Sequence, residues 1–139
     1  MNNILSRLPV YAAALWWGSL TTIGFLVVPL LFMHLPTPAL AGGMAAKLFT
    51  AQTWVSVACG GILLLISTSK QASAPAQRAH DAIIFILLGL LLALLVEFAV
   101  APRIVTRTNL KLWHSVGSVM YLVQWLCAAI VFWRITPKH

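Results

Sequence analysis

"HDAIIFILLGLLLALLVEFAVAP", residues 80–102, decides the fold. Between Asp81 and Pro102 the only residue that is not apolar is Glu97. A run of this length, coiled as a helix, crosses the hydrocarbon core of a bilayer, which is about 30 Å thick. A segment facing lipid has no water to bond its backbone, so it must satisfy its own amides and carbonyls, and a helix does that. The stretch is therefore a membrane span, with one acid inside it.

Outward from this run, three more apolar segments of similar length follow the same logic: 8–33, 45–68 and 112–135, beside 80–101 itself. The expected fold is all-α, an integral membrane four-helix bundle running antiparallel, up-down-up-down, as a single domain over 1–139. Composition agrees. The chain is 61% hydrophobic and 8% charged, against roughly 25% charged in soluble domains, and its mean hydropathy is +0.95.

The net charge of +7 does not mark a nucleic-acid binder. The lysines and arginines stand singly at helix ends and in loops, with no basic stripe and no aromatic platform. They read as anchors at the lipid surface and as topology signals. Cys59 and Cys127 lie alone in different spans without a C-x-x-C spacing, as small buried apolar residues do.

Punctuation sets the expected boundaries. Pro9 suits a first helical turn. Pro29 is expected to loosen the end of the first span. "HLPTPALAGG" (34–43) reads as a loop, with the second span opening near Met44. "STSKQASAPAQR" (67–78) reads as a solvated linker. Asp81 is expected in the first turn of the third span, complementing the helix dipole, and Pro102 is expected to close that span. No internal repeat is apparent by eye. Arg7, the apolar run after it and "ALA" at 39–41 resemble a secretory signal, but the run is too long for a signal core and is read as a span.

With four spans the termini share a side. That side holds Arg7, Lys70, Arg78, Arg134 and Lys138, and the other holds Lys47, Arg103, Arg107 and Lys111. The positive-inside rule leans toward both termini in the cytoplasm. Trp113 and Trp133 mark the two ends of the last span as an aromatic belt does.

This topology collects His34, Lys47, Glu97, Arg103, Arg107, Lys111 and His114 at one end of the bundle. Gly89, Ala93, Glu97 and Ala101 recur every four residues and so share a stripe. Small residues admit a neighbouring helix, which turns Glu97 inward, about 6 Å from the expected helix end. A carboxylate at that depth needs a partner or a proton. His114, Arg103 and Lys47 are the candidate partners. With Ser115 they form the expected polar pocket.

Ala14, Gly18 and Thr22 read as a packing face of the first span. Gln52, Ser56 and Gln124 read as donors between helices. His34, Met33, Met44 and His114 are the candidate metal ligands, thioether and imidazole suiting a soft ion such as copper(I). His34 with His114 is also the candidate axial pair for a b-type haem. No nucleophile–base–orienter set, phosphate loop or carboxylate pair points to hydrolysis or phosphoryl transfer, so an enzyme is not the expected class.

"LWWGSLTTIGFLVVPLLF", "AGGMAAKLF", "APRI" and "LWHSVG", in that order, resemble a bacterial four-helix membrane domain of unknown function (4149), in the transmembrane protein 205-like group. The resemblance spans nearly the whole chain. Its recurrent positions fall on Trp17, Gly18, Pro29, Phe32, Gly42, Lys47, Phe49, Pro102, Arg103, His114 and Ser115. Relatives often carry an acid next to the Pro-Arg pair, whereas here the acid is Glu97, five residues before Pro102. The resemblance implies a four-helix integral membrane protein without a settled activity. Eukaryotic relatives are associated with tolerance of platinum drugs and with secretory trafficking.

The expected protein is thus a multi-pass protein of the bacterial inner membrane, surrounded by lipid. It binds or helps to move a small solute, proton or metal at its non-cytoplasmic end. The alternatives are a structural or accessory subunit with a membrane partner, or a haem protein. Four helices make a thin channel wall, so a homo-oligomer fits the same reading.

Overall fold

The structure is a computed structural model that describes residues 2–69 and 74–137, with side chains from residue 4 onward. Lys70, Lys138 and His139 lie outside the described residues. Helix α1 comprises Asn2–Thr21, a π-helical turn over Thr22–Val27, and Val28–His34. Helix α2 is Pro38–Ser67 and α3 the short Ala74–Asp81. Helix α4 comprises Ile83–Leu95, a second π-turn over Val96–Val100, and Ala101–Val105. Helix α5 is Leu110–Ile135.

No strand occurs among the described residues. Four helices, α1, α2, α4 and α5, are long and apolar enough to cross a bilayer. Hairpin α1–α2 and hairpin α4–α5 close into a ring, with α1 also against α5 and α2 against α4. The all-α four-helix membrane bundle expected from hydropathy is the fold.

Several boundaries differ from the sequence reading, for local reasons. Helix α2 opens at Pro38, not near Met44. Thr37 caps it, its hydroxyl oxygen accepting from the Leu40 amide at 3.2 Å, and Pro38 occupies the first turn, where no amide is needed. Gly42 and Gly43 are carried inside the helix. The 67–78 linker is not wholly a solvated connection either. Its end is the start of α3, whose Ala76 and Ala79 are buried and whose Arg78 donates to the Ile135 carbonyl at 3.3 Å. Asp81 ends α3 instead of opening α4.

Pro102 does not close its helix, which runs on to Val105. Proline inside an α-helix lacks an amide and clashes with the carbonyl four residues back. Here the preceding π-turn has already reset the ladder: the Ala101 amide bonds to Val96 O, five residues back. Pro29 is accommodated in the same way, with the Val28 amide on Ile23 O. Each π-turn inserts one extra residue into the coil and so rotates the face presented beyond it.

The two hairpins repeat one pattern, a repeat that inspection of the sequence alone passes over. Phe25-x-Val27-x-Pro29 recurs as Phe98-x-Val100-x-Pro102, each at a π-turn. Phe49-x-x-Gln52 on α2 recurs as Tyr121-x-x-Gln124 on α5. The buried positions correspond too. Pro9, Ala13, Trp16 and Leu20 on α1 match Ala82, Ile86, Gly89 and Ala93 along α4. Gln52, Ser56, Cys59 and Leu63 on α2 match Gln124, Ala128, Val131 and Ile135 on α5.

Corresponding residues also meet one another, as they must beside a two-fold axis. The Phe49 and Tyr121 rings meet edge to face at 5.2 Å. Gln52 and Gln124 share Ser56 Oγ. The Trp16 indole fills the space over Gly89, whose ideal Cβ lies 2.8 Å from the Trp16 ring. The core therefore gathers along a pseudo-two-fold axis running parallel to the helices.

This arrangement corrects the expected packing face of α1. Thr22 is exposed, and nothing lies within 4 Å of a Cβ placed on Gly18. The fully buried Trp16 and Leu20 define the inward face.

Candidate functional site

Three polar groupings lie between the middle of the bundle and its end at the Leu35–Thr37 and Thr106–Asn109 connections. The deepest joins three helices. Gln52 Nε2 donates to Ser19 Oγ on α1 at 3.0 Å and to Ser56 Oγ at 3.4 Å. Gln124 Nε2 on α5 donates to Ser56 Oγ at 3.1 Å. Each serine spends its own hydrogen on a backbone carbonyl, Ser19 on Trp16 O and Ser56 on Gln52 O. The hydroxyl oxygens therefore accept and the amides donate. This is the interhelical role expected of Gln52, Ser56 and Gln124, with Ser19 as a partner that sequence reading did not single out. Gln52 Oε1 and the indole nitrogens of Trp16 and Trp17 are buried without a partner.

The second grouping is the π-turn of α1. Tyr121 from α5 donates its hydroxyl to Leu20 O at 2.7 Å, and the Gly24 amide lies against the phenol oxygen. The phenol thus stands between a carbonyl and an amide four residues apart, the place of a helical hydrogen bond. Insertion of a side chain into the ladder is a recognised cause of helix distortion. Only glycine fits at residue 24, because an ideal Cβ there runs into the Tyr121 ring at Cε1. Next to it, Trp125 Nε1 donates to Thr21 Oγ1 at 2.8 Å. Trp125 also packs against Trp17 and Phe25, with centroids at 6.1 and 5.4 Å.

The third grouping holds Glu97, which lies within the π-turn of α4. It is half-buried, and both carboxylate oxygens face one hydroxyl: Thr50 Oγ1 on α2 is 2.9 Å from Oε1 and 3.2 Å from Oε2. Because α4 continues to Val105, Glu97 lies about 12 Å from the helix end, twice the expected depth. The stripe that turned it inward holds at Gly89 and Ala93, and the π-turn then passes the buried position to Val100. Glu97 stands on the widened turn itself.

The other expected pocket residues do not close around it. Among the described residues no cation forms an ion pair with Glu97. Arg103 is exposed, donates to Ala99 O, and lays its guanidinium over the Trp113 ring at 4.6 Å. Lys47 and His114 are exposed. Ser115 is exposed and donates to Lys111 O at 2.9 Å. Along their helices all four stand toward the 35–37 and 106–109 connections from the level of the Glu97–Thr50 bond.

The metal candidates have no shown contact with Glu97 either. His34 is exposed with Nδ1 3.0 Å from Leu30 O, and Met33 and Met44 are exposed. Among the described residues no three His, Cys, Asp or Glu side chains group as a metal site. The hydrogen-bond partner of Glu97 among the described residues is an oxygen, Thr50 Oγ1.

Residues 11–112 match the family described as Domain of unknown function (DUF4149). The chain belongs to the DUF4149 family. The match takes in three of the four spans, both π-turns, Thr50 and Glu97, and ends as α5 begins. No curated protein and no solved structure matches the chain.

Sequence reasoning found Glu97 and passed over Thr50, which is one of many threonines in apolar company. Tyr121, 101 positions from its partner Leu20, gave no local signal of that bond. The repeated Phe-x-Val-x-Pro is the signal from which both π-turns were within reach.

Proposed function

We propose that this DUF4149 protein binds a small solute or cation at Glu97 and helps it enter or cross the membrane. One observation carries the reading. Glu97 is an acid deep in a span, held by Thr50 and matched by no basic side chain among the described residues. Ionisable groups inside the bilayer are costly and mark ion or substrate paths. Lys47, Arg103, His114 and Ser115 form the approach at the rim. On this reading the protein sits in the bacterial inner membrane with both termini cytoplasmic and this rim outside, an orientation that the lean of positive charge supports.

The test is reconstitution of the full chain, wild type, Glu97→Gln and Glu97→Leu, into vesicles. Uptake of protons and of small cations is followed together with thermal stability in detergent. The expected outcome is loss of uptake in both variants, with stability retained in Glu97→Gln. Uptake that survives in a strongly destabilised variant assigns Glu97 to packing alone.

A second reading, an accessory subunit, draws on the outward direction of the rim residues. Pull-down from native membranes tests it, and no reproducible partner counts against it.

A further inference from the structure

The pseudo-two-fold relation gives each group near Glu97 a counterpart whose bonding is known. Gly24 corresponds to Glu97, Leu20 to Ala93, and Tyr121 to Phe49. In the first π-turn the Tyr121 hydroxyl bridges the Leu20 carbonyl and the Gly24 amide. In the second, the corresponding aromatic residue is Phe49, which has no hydroxyl. The two rings touch across the axis, so their placements are comparable. The difference between the halves is thus chemical: a phenol oxygen in one, a carboxylate with no phenol in the other.

The groups around that second position share one property. Glu97 offers two carboxylate oxygens. Thr50 Oγ1 has spent its hydrogen on them and retains lone pairs. The Ala93 carbonyl accepts from the Val96 amide and retains a second lone pair. All are oxygen acceptors, the donor type that hard cations prefer. A single negative charge in a span is neutralised by a single positive one. In transporters built from repeats, interrupted helices at matching positions of the two halves mark the binding site, and the carbonyls they release coordinate small cations.

We infer that the π-turn of α4 is a binding site for a small monovalent cation, held by Glu97, Thr50 and the Ala93 carbonyl where the Tyr121 hydroxyl stands in the other half. It rests on the reading of Glu97 as a binding group and adds the ligand's charge class and position. Tyr121 is then a built-in plug of the first π-turn, and the second is open to a guest.

The test exploits the repeat. Phe49→Tyr adds to the second half the hydroxyl that the first half has. The full chain in neutral detergent is titrated with sodium chloride and with ammonium chloride against N-methylglucamine chloride at matched ionic strength, reading the melting temperature. Wild type is expected to gain stability with sodium or ammonium and not with the bulky cation. Phe49→Tyr is expected to melt higher without salt and to lose the cation response. Thr50→Val, which keeps side-chain shape, guards against misfolding of the first variant and is expected to weaken the apparent affinity about tenfold. A Phe49→Tyr or Thr50→Val protein that responds like wild type overturns this site. If Glu97→Gln alone abolishes the response, the Glu97 reading still stands. A wild type without any cation response, in which Glu97→Gln still removes proton uptake, likewise leaves Glu97 as a proton site and sinks the cation site.

Discussion

Tyr121 is the residue whose single atom does most for helix α1. Its hydroxyl replaces a backbone partner for Leu20 and is pressed against Gly24. Tyr121→Phe removes that oxygen and leaves a buried carbonyl short of a donor. A loss of about 1–2 kcal/mol is expected in detergent unfolding. Arg107 makes the opposite case. It has φ 56° at the left-handed position that ends α4, where the Thr108 amide bonds to Arg103 O at 3.2 Å and the Arg107 amide to Ile104 O at 3.1 Å. Glycine is the usual residue of that cap, and a side chain there costs about 1–2 kcal/mol. Arg107→Gly is therefore expected to raise the melting temperature, and calorimetry or a thermal-shift assay checks it.

At the scale of the element, the helices are set by where backbone approach is closest. A Cβ on Gly89 lies 2.8 Å from the Trp16 ring, which is itself fully buried and cannot move aside. Gly89→Ala is expected to cost about 1–3 kcal/mol by overpacking. Gly18 has nothing within 4 Å of its Cβ position, so Gly18→Ala is expected to be neutral or to gain up to about 1 kcal/mol of helix propensity. Unfolding both variants side by side tests whether contact, and not glycine content, is what counts. The two π-turns belong to this scale as well. Each precedes a proline, and each faces a side chain from another helix, Tyr121 in one case and Thr50 in the other.

At the scale of the whole molecule, four spans place the 35–37 and 106–109 connections on one side and both termini on the other. Single cysteines at Pro36 and Thr108 are expected to react with an impermeant maleimide from the same side, and one at Pro137 from the opposite side. Cys59 and Cys127 are buried and are expected to stay unlabelled. Labelling of 36 and 108 from opposite sides refutes the arrangement. The pseudo-two-fold axis also explains why polar groups concentrate along the bundle centre. Gln52 and Gln124 meet there because the repeat brings equivalent positions face to face.

The sequence by itself determined the class, the number of spans and the oddity of Glu97. Hydropathy is a local property, and a lipid-facing chain has few ways to satisfy its backbone. It misjudged Pro102 and the start of α2 because a π-turn and the Thr37 cap change what a proline does, and neither is visible in composition. Only the tertiary structure decided which face of each helix is buried, that Glu97 bonds to Thr50 across 47 positions of chain, and that Tyr121 enters α1 from 101 positions away. Those contacts depend on how far each helix is rotated. One extra residue in a turn shifts every side chain beyond it, so rotation is fixed by packing among helices and not by any one of them.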